Sequence, residues 1–295
     1  MHKLSRLETF VNCGFKHDPF KKNNFKTMDS ERITRILAMA INGHAMVSIV
    51  GARGCGKTRA INGALQKMNV RKVFVRSADK SRLLISDIEQ AMILDLSDEK
   101  PKRGREIRAR QLRRILGEAS SMQEVVVVIE EGHRLHGMTL RALKTLREMD
   151  WMGKTELFSI VLVAQSDPMG KRGVSEVRLR SDAVLMKGLT RDEISRYINN
   201  TLGNIMADDA VNIIAQLPEA ANFLDLQDIL VDLMGAMLCT GKKQVAADLL
   251  STILTDNPVD QKTRKKTDAK TQNKALKQFL QARQGAGFKL DKTGT

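Results

Sequence analysis

Cysteine is scarce in this 295-residue sequence, and its three copies, Cys13, Cys55 and Cys239, are widely separated. This spacing excludes a disulfide framework and a cysteine-rich zinc site, and it indicates a reducing, cytoplasmic setting. Long apolar runs are also missing, because a run such as residues 158–164 falls far short of the ~20 residues that span a bilayer. The N-terminus has no apolar core typical of a signal peptide. We therefore expect a cytoplasmic protein with no membrane partner.

Aromatic residues are also few, with one Trp and one Tyr beside nine Phe, which leaves little material for a surface that stacks exposed bases. Positive charge, in contrast, is abundant. Lys and Arg number 49 against 34 Asp and Glu, for a formal net charge of +15. Such an excess favours a polyanionic partner. Double-stranded DNA, contacted through its backbone, is the first candidate.

Short apolar runs alternate with helical patterns through the first two thirds of the chain. They predict strands at residues 45–50, 70–75, 124–129, 157–164 and 182–186, with helices between them. Fully apolar, β-branched strands separated by helices are typical of a parallel sheet covered on both faces. The predicted fold class is therefore α/β.

The chain divides into four predicted regions. Residues 1–30 form an irregular leader around Pro19, and a helix capped by Asp29 or Ser30 opens an α/β domain at residues 31–188. A capping box, Thr190 with Glu193, begins a small helical lid at residues 189–256. Residues 257–295 are polar and basic, and we expect them to be a mostly disordered tail.

A phosphate-binding loop follows the first strand and leads directly into a helix. Its eight residues fit the required pattern: Gly51, Ala52, Arg53, Gly54, Cys55, Gly56, Lys57 and Thr58. The glycines let backbone N–H groups surround a phosphate, Lys57 reaches the β and γ oxygens, and Thr58 offers a hydroxyl to Mg²⁺. The cofactors predicted from this loop are ATP and Mg²⁺. The competing interpretation is a glycine turn that merely joins strand to helix.

A second predicted site is the acidic end of the strand at residues 124–129. Glu130 is placed to hold the metal through its water shell, and Glu131 to orient or deprotonate the attacking water. The alternative is a pair of solvated acids at a strand end.

Polar and cationic residues further along complete the predicted catalytic set. Gln165, with Ser166 second, ends the next strand where it could sense a γ-phosphate. Arg178 or Arg180, and less favourably Arg172, could serve as a finger that acts on a neighbouring subunit. A polar strand terminus and a charged loop remain the alternative interpretations.

Taken in order, these motifs resemble those of AAA+ ATPases from about residue 15 to 254. The resemblance implies an AAA+ P-loop NTPase fold with a parallel sheet flanked by helices and a small C-terminal helical lid. Residues 14–20, 130–135 and 160–165 resemble the group that includes the secretion ATPase ExeA and the transposition ATPases MuB and TnsC. For the transposition members this implies ATP-dependent homo-oligomers, as rings or filaments on target DNA, that recruit a DDE transposase.

Two departures from the family pattern bear on the mechanism. The first acidic position is usually Asp, and Glu130 is one methylene longer. The lid segment 218–230 lacks the Arg that usually serves as a second sensor. His133, three residues after Glu130, is interpreted as a loop residue, because the other motifs of a helicase are not evident.

A dense basic segment, residues 100–110, precedes the acidic strand. Its predicted DNA-binding residues are Lys100, Lys102, Arg103, Arg105, Arg108 and Arg110. In assemblies of the resembling ATPases this region faces the central channel, where Lys and Arg could follow phosphates without reading bases. A basic, solvated helix face is the alternative.

Three functions are compatible with these observations. The leading one is a transposition ATPase that binds target DNA without sequence preference and hydrolyses ATP slowly, with stimulation by DNA or a partner. The others are an ExeA-like secretion ATPase and a helicase loader or initiator.

Overall fold

The computed structural model describes residues 4–21, 25–76, 83–178 and 181–250 of the chain. The predicted finger Arg180, the side chain of Arg178 and the predicted tail at residues 257–295 lie outside this description. The same is true of the last residues of the predicted lid.

Helices and strands alternate as far as residue 185, and helices follow. The helices are α1 (Arg6–Asn12), α2 (Met28–Asn42), α3 (Lys57–Leu65), α4 (Ile85–Leu96), α5 (Arg105–Met122), α6 (Gly137–Arg147), α7 (Ser175–Arg178), α8 (Arg191–Leu202), α9 (Asp208–Ile214) and α10 (Phe223–Cys239). The strands are β1 (Met46–Val50), β2 (Val70–Val75), β3 (Glu124–Ile129), β4 (Asp150–Trp151), β5 (Lys154–Thr155), β6 (Ser159–Ala164) and β7 (Ser181–Leu185).

Five strands form one sheet in the order β2-β3-β6-β1-β7, and all neighbouring pairs are parallel. The register places Val50 of β1 beside Ala164 of β6, and Ile129 of β3 beside Leu162 of β6. The loops that follow these strands therefore emerge at one edge of the sheet. The predicted parallel α/β sheet is confirmed.

Helices cover both faces of the sheet, and the side chains of β3 show why residues 125–129 are all apolar. Val125, Val127 and Ile129 pack with the core under α4, α5 and α6. Val126 and Val128 point the other way, into the core formed with α2 and α3. A strand buried on both faces is enriched in apolar side chains at every position.

The N-terminal region differs from the irregular leader that the sequence predicted. Residues 6–12 form α1, which is opened by a capping box in which Ser5 and Glu8 bond each other's backbone N–H groups. Phe10 lies edge-on to Phe20, and Phe20 stacks on Tyr197 of α8. The helix α1 ends at Asn12, before Pro19, and aromatic contacts tie this region to the lid.

Two buried carboxylates join the sheet to the helices that follow it. Asp29 of α2 accepts hydrogen bonds from the backbone N–H groups of Lys187 (2.7 Å) and Gly188 (3.0 Å). Glu193 of α8 accepts one from Met28 N (2.6 Å). Neither Asp29 nor Ser30 caps α2, because Thr27 takes that position and accepts from Ser30 N.

A short antiparallel hairpin, β4–β5, was not predicted. Trp151 of the hairpin lies so close to α5 that a Cβ on Gly117 would come 2.1 Å from its ring. Arg113 donates to the Asp150 carbonyl (2.6 Å), and Lys154 donates to the Ser120 carbonyl (2.7 Å). The hairpin is therefore fixed to α5.

Among the described helices, none combines the length and the apolar character that crossing a membrane requires.

Candidate functional site

The candidate site lies at the carboxyl edge of the sheet, where β1, β6 and β3 end side by side. The phosphate-binding loop follows β1, Gln165 follows β6, and Glu130 and Glu131 follow β3. Carboxyl ends of parallel strands are the usual location of ligand sites in such sheets. The topology thus brings together the motifs that the sequence placed far apart.

The phosphate-binding loop has a backbone that only glycine adopts readily. Gly54 and Gly56 have φ of +89° and +92°. The helix α3 begins at Lys57, so its free N–H groups open toward the loop. Lys57 Nζ lies 2.8 Å from the carbonyl oxygens of both Gly51 and Ala52, across the mouth of the loop. The loop is therefore a concave set of donors with a cation at its mouth.

The lid contacts this loop through the start of α10. Asn222 Nδ2 donates to the Arg53 carbonyl (2.7 Å), while Asn222 Oδ1 accepts from Leu224 N and caps the helix. A Cβ on Gly54 would lie 2.4 Å from Asn222 Oδ1, and a Cβ on Gly56 would lie 3.3 Å from the Phe223 ring. Asn222 belongs to residues 218–230, the lid segment that lacks the Arg usually found as a second sensor.

Glu130 is partly buried behind the end of β3. Its backbone N–H donates to the Val75 carbonyl (3.1 Å). Its Oε2 lies 3.3 Å from Nε of Arg76, the residue that follows β2. Sequence reasoning missed Arg76, because its relation to Glu130 depends on the pairing of β2 with β3.

Glu131 has a left-handed backbone, with φ of 56° and ψ of 33°. Its carboxylate Oε2 lies 3.3 Å from Arg134 Nε and 3.5 Å from His133 Nε2. Residues 132–134 form a tight helical turn directly after it, so the two basic side chains return toward the acid.

Gly132 lets this turn lie against β6. A Cβ there would come 3.3 Å from Leu162 Cβ and 3.5 Å from the Val163 carbonyl oxygen. The close approach brings His133 Nδ1 within 3.3 Å of the backbone N of Gln165, which donates to it. His133 therefore lies between Glu131 and the end of β6, a position that the interpretation as a loop residue did not anticipate.

Burial lowers the pKa of His133, and the nearby charges of Arg134, Lys171 and Lys57 lower it further, whereas Glu131 raises it. Burial also lowers the pKa of Lys171, whose ammonium donates to the Leu135 carbonyl. The imidazole of His133 is thus held in the neutral form that its Nδ1 contact requires.

Of the predicted arginine fingers, Arg172 is exposed in the loop before α7, and Arg178 is the last residue of that helix. The structure does not bring Arg172 into contact with the loop residues 51–58 in any bond among the described side chains.

The basic segment is held from beneath by two buried side chains of α5. Gln111 accepts from Lys102 N (3.0 Å) and donates to the Lys100 carbonyl (3.1 Å). Arg108 donates to the carbonyls of Lys102 (3.3 Å) and Arg103 (3.4 Å). With these carbonyls turned inward, the segment's exposed cationic residues are Lys100, Lys102, Arg103, Arg105 and Arg110.

Arg108, one of the predicted DNA-binding residues, is buried in the structure, unlike the other five. It is 8% exposed, and its Nε forms an ion pair with Glu89 Oε2 of α4 at 2.9 Å. A guanidinium committed to a buried carboxylate is not available to a phosphate. The sequence could not reveal this, because Glu89 lies on another helix.

The donors at this edge fit magnesium bound together with a nucleotide. No cluster of three or more His, Cys, Asp or Glu side chains suited to a metal occurs in the described ranges. Mg²⁺ at phosphate sites, however, takes only one or two protein ligands beside water and phosphate oxygens. Thr58, in the first turn of α3, and the carboxylate of Glu130 supply that number.

Part of the chain matches a known protein family. Residues 41–168 match the AAA domain family. A search of curated proteins found no match.

Several solved structures share the fold. Cdc6p from Pyrobaculum aerophilum has a TM-score of 0.59 at 15% identity, covering 81% of this chain and 74% of that one. The ORC1 protein of Aeropyrum pernix, solved in complex with DNA, has a TM-score of 0.57 at 13% identity, covering 81% and 68%. The RuvB Holliday junction branch migration motor of Thermotoga maritima has a TM-score of 0.50 at 15% identity, covering 88% and 78%. At such low identity these likenesses concern the fold, and the predicted AAA+ P-loop NTPase fold is confirmed.

Proposed function

We propose that this chain is an AAA+ ATPase that binds ATP and Mg²⁺ and assembles on double-stranded DNA to support DNA transposition. The proposal that the chain binds ATP rests on the loop at residues 51–58, with its left-handed glycines and the Lys57 ammonium at its mouth.

In this proposal Lys57 exchanges its contacts with the Gly51 and Ala52 carbonyls for phosphate oxygens. Both distances are 2.8 Å, so the ammonium already lies over the loop and needs only a short movement. The N–H groups at the start of α3 and the loop backbone supply the remaining donors.

Hydrolysis is assigned to Glu131 as the residue that orients and deprotonates the attacking water. Its carboxylate is held by Arg134 and His133 at the end of β3, and Gln165 lies at the end of the neighbouring strand. Thr58 and Glu130 would hold Mg²⁺, which would neutralise charge on the phosphates. Arg178 or Arg180 of a neighbouring subunit is proposed to stabilise the transition state.

DNA is proposed to bind the exposed cations of the basic segment. Because Arg108 and Gln111 fix the backbone of this segment, Lys102, Arg103 and Arg105 project from a surface of defined shape. Contacts of this kind bind the phosphates of the backbone and do not read the base sequence.

The role in transposition, with a DDE transposase as partner and a homo-oligomeric ring or filament as the active form, is supported by the resemblance of residues 14–20 and 130–135 to the MuB and TnsC group. Glu130 in place of the usual Asp is compatible with slow ATP hydrolysis.

An initiator or helicase-loader function is the second candidate. The fold likeness to Cdc6p and to an ORC1 protein solved with DNA favours it. The two candidates differ in partner, since a transposition ATPase stimulates strand transfer by a transposase and a loader does not. An ExeA-like secretion role predicts no nucleotide-dependent affinity for DNA.

The deciding experiment measures binding of a fluorescent duplex of arbitrary sequence with and without ATP, and images the complexes by electron microscopy. We expect ATP to tighten binding and to produce ordered assemblies, and Lys57→Ala to abolish both effects. Equal binding with and without nucleotide would contradict the proposal.

A second arm tests the DNA surface. Replacing Lys102, Arg103 and Arg105 together by Gln is expected to weaken binding and to flatten its dependence on salt. The matched control replaces the exposed Lys16, Lys21 and Lys67 by Gln, which removes the same charge elsewhere. An identical loss in both triple variants would show that only net charge matters.

A further inference from the structure

His133 contacts two catalytic candidates at once, through opposite nitrogens of its ring. Nδ1 accepts a hydrogen bond from the backbone N–H of Gln165 at 3.3 Å, and Nε2 lies 3.5 Å from the carboxylate of Glu131. A ring nitrogen that accepts carries no proton, so the proton of the neutral ring is on Nε2 and faces the acid.

We propose that His133 is a positioning residue for ATP hydrolysis, which orients the Glu131 carboxylate and ties it to the end of β6. The inference rests on the proposed function, because it requires Glu131 to activate water. It goes further by naming the side chain that connects the general base with the strand that carries Gln165.

The surroundings favour this role over a merely solvated histidine. The His133 side chain is 19% exposed, and Gly132 packs its turn closely against β6, where a Cβ would lie 3.3 Å from Leu162 Cβ. Burial and the neighbouring cations lower the pKa of His133, which keeps Nδ1 free to accept.

Arg134 also contacts Glu131, but it cannot make the same connection. Its side chain is 49% exposed, and its contact with Oε2 spans only three residues of sequence on one turn. The bond from Gln165 to His133 joins residues 32 positions apart and two neighbouring strands. The proposed connection therefore runs from the end of β6 through the imidazole to the carboxylate.

The first test needs no nucleotide. Nitrogen NMR of the imidazoles, assigned by comparison with a His133→Asn sample, should show His133 with its proton on Nε2 at neutral pH. Glu131→Gln should shift the His133 Nε2 resonance. A proton on Nδ1 would overturn the inference whether or not the protein hydrolyses ATP.

The second test separates the two nitrogens by substitution. Asn places an acceptor near the position of Nδ1 but lacks the donor near Nε2, whereas Gln places its amide N–H₂ near Nε2. We expect His133→Asn to lower kcat about tenfold with KM for ATP unchanged, and His133→Gln to recover most of the loss, because the interaction with Glu131 serves the transition state.

His136→Asn is the matched control, since His136 Nδ1 caps α6 by accepting from Met138 N and is not bonded to Glu131 in the described structure. Its turnover should stay near that of the wild type. Equal kcat for His133→Asn and the wild type, or equal losses for Asn and Gln, would overturn the inference. Absence of any turnover in the wild-type protein would instead count against the proposed function and leave the NMR result standing.

Discussion

At the scale of single residues, the backbone of Glu131 is the feature of the site that sequence patterns do not reveal. Its φ of 56° is a left-handed value, which costs a non-glycine residue about 1–2 kcal/mol. The next residue, Gly132, packs against Leu162 of β6 and begins the tight turn at residues 132–134. The unfavourable backbone conformation therefore occurs at the residue to which hydrolysis is assigned, and such conformations cluster at functional sites.

The substitution Glu131→Gln tests this assignment. We expect ATP binding to persist and turnover to fall by about 10²–10⁴, because the amide cannot accept the proton of water. Steady-state phosphate release and equilibrium binding of a fluorescent ATP analogue measure the two effects.

Glu156→Gln provides the control for Glu131→Gln. Glu156 is another glutamate with a left-handed backbone (φ 54°), and it pairs with Arg147, which bonds the backbone carbonyl of His44 before β1. Its replacement should leave turnover unchanged. Normal hydrolysis by Glu131→Gln would exclude Glu131 as the general base.

The sequence predicted residues of this site when one local motif contained them. Lys57 and Thr58 belong to a contiguous loop, and Glu131 follows a buried strand directly. His133 and Arg76 were missed because their contacts reach across strands, to Gln165 and to Glu130. The close Glu-Gly-His spacing was the only available signal for His133.

At the scale of elements, α5 combines a buried support with an exposed cationic surface. Arg108 faces inward and pairs with Glu89, whereas Arg110, two residues later, is exposed. Residues of the same type on opposite sides of one helix thus have different roles.

Paired substitutions should separate these roles. Arg108→Met leaves Glu89 buried without its cation and should lower the free energy of unfolding by about 3 kcal/mol. Arg110→Met should leave stability nearly unchanged and reduce the salt slope of DNA binding by about 1. Denaturant unfolding and binding at several salt concentrations provide the measurements. If Arg108→Met is as stable as the wild type, the basic segment does not depend on this ion pair.

Elements with a strong apolar period were predicted well, and short ones were not. The bounds predicted for β2 and β3 coincide with the structure, because valine recurs through both and residues 125–129 of β3 are all β-branched. The hairpin β4–β5 was missed because each of its strands has only two residues. The helix α1 carried a readable capping box, Ser5 with Glu8, but the nearby Pro19 favoured an irregular interpretation.

At the scale of the whole molecule, a series of aromatic contacts links the N-terminal region to the lid and ends beside the phosphate-binding loop. Phe20 and Phe25 lie against Tyr197, and Tyr197 lies edge-on to Phe223. Phe223 in turn lies beside Gly56. Burial of Tyr197 raises its pKa, and its hydroxyl accepts from Gln227 of α10.

The contact between the lid and the loop can be tested at Asn222. Asn222→Asp keeps the acceptor that caps α10 but replaces the donor to the Arg53 carbonyl with a carboxylate oxygen that repels it. We expect nearly normal thermal stability, faster hydrogen exchange in residues 51–58 and 223–230, and weaker ATP binding.

Asn222→Ala removes both contacts and should also lower stability by about 1 kcal/mol through loss of the cap. If hydrogen exchange in Asn222→Asp matched that of the wild type, the lid would be held over the loop by apolar packing alone.

Asp29 has a wider consequence for this architecture. One carboxylate receives the N–H groups of Lys187 and Gly188 and pairs with Arg32, which reaches the Leu185 carbonyl at the end of β7. Asp29 therefore fixes the backbone at residues 187 and 188, where the chain leaves the sheet for the helices of the lid. Variation at Asp29 would loosen this passage between the sheet and the lid without changing any residue of the phosphate-binding loop.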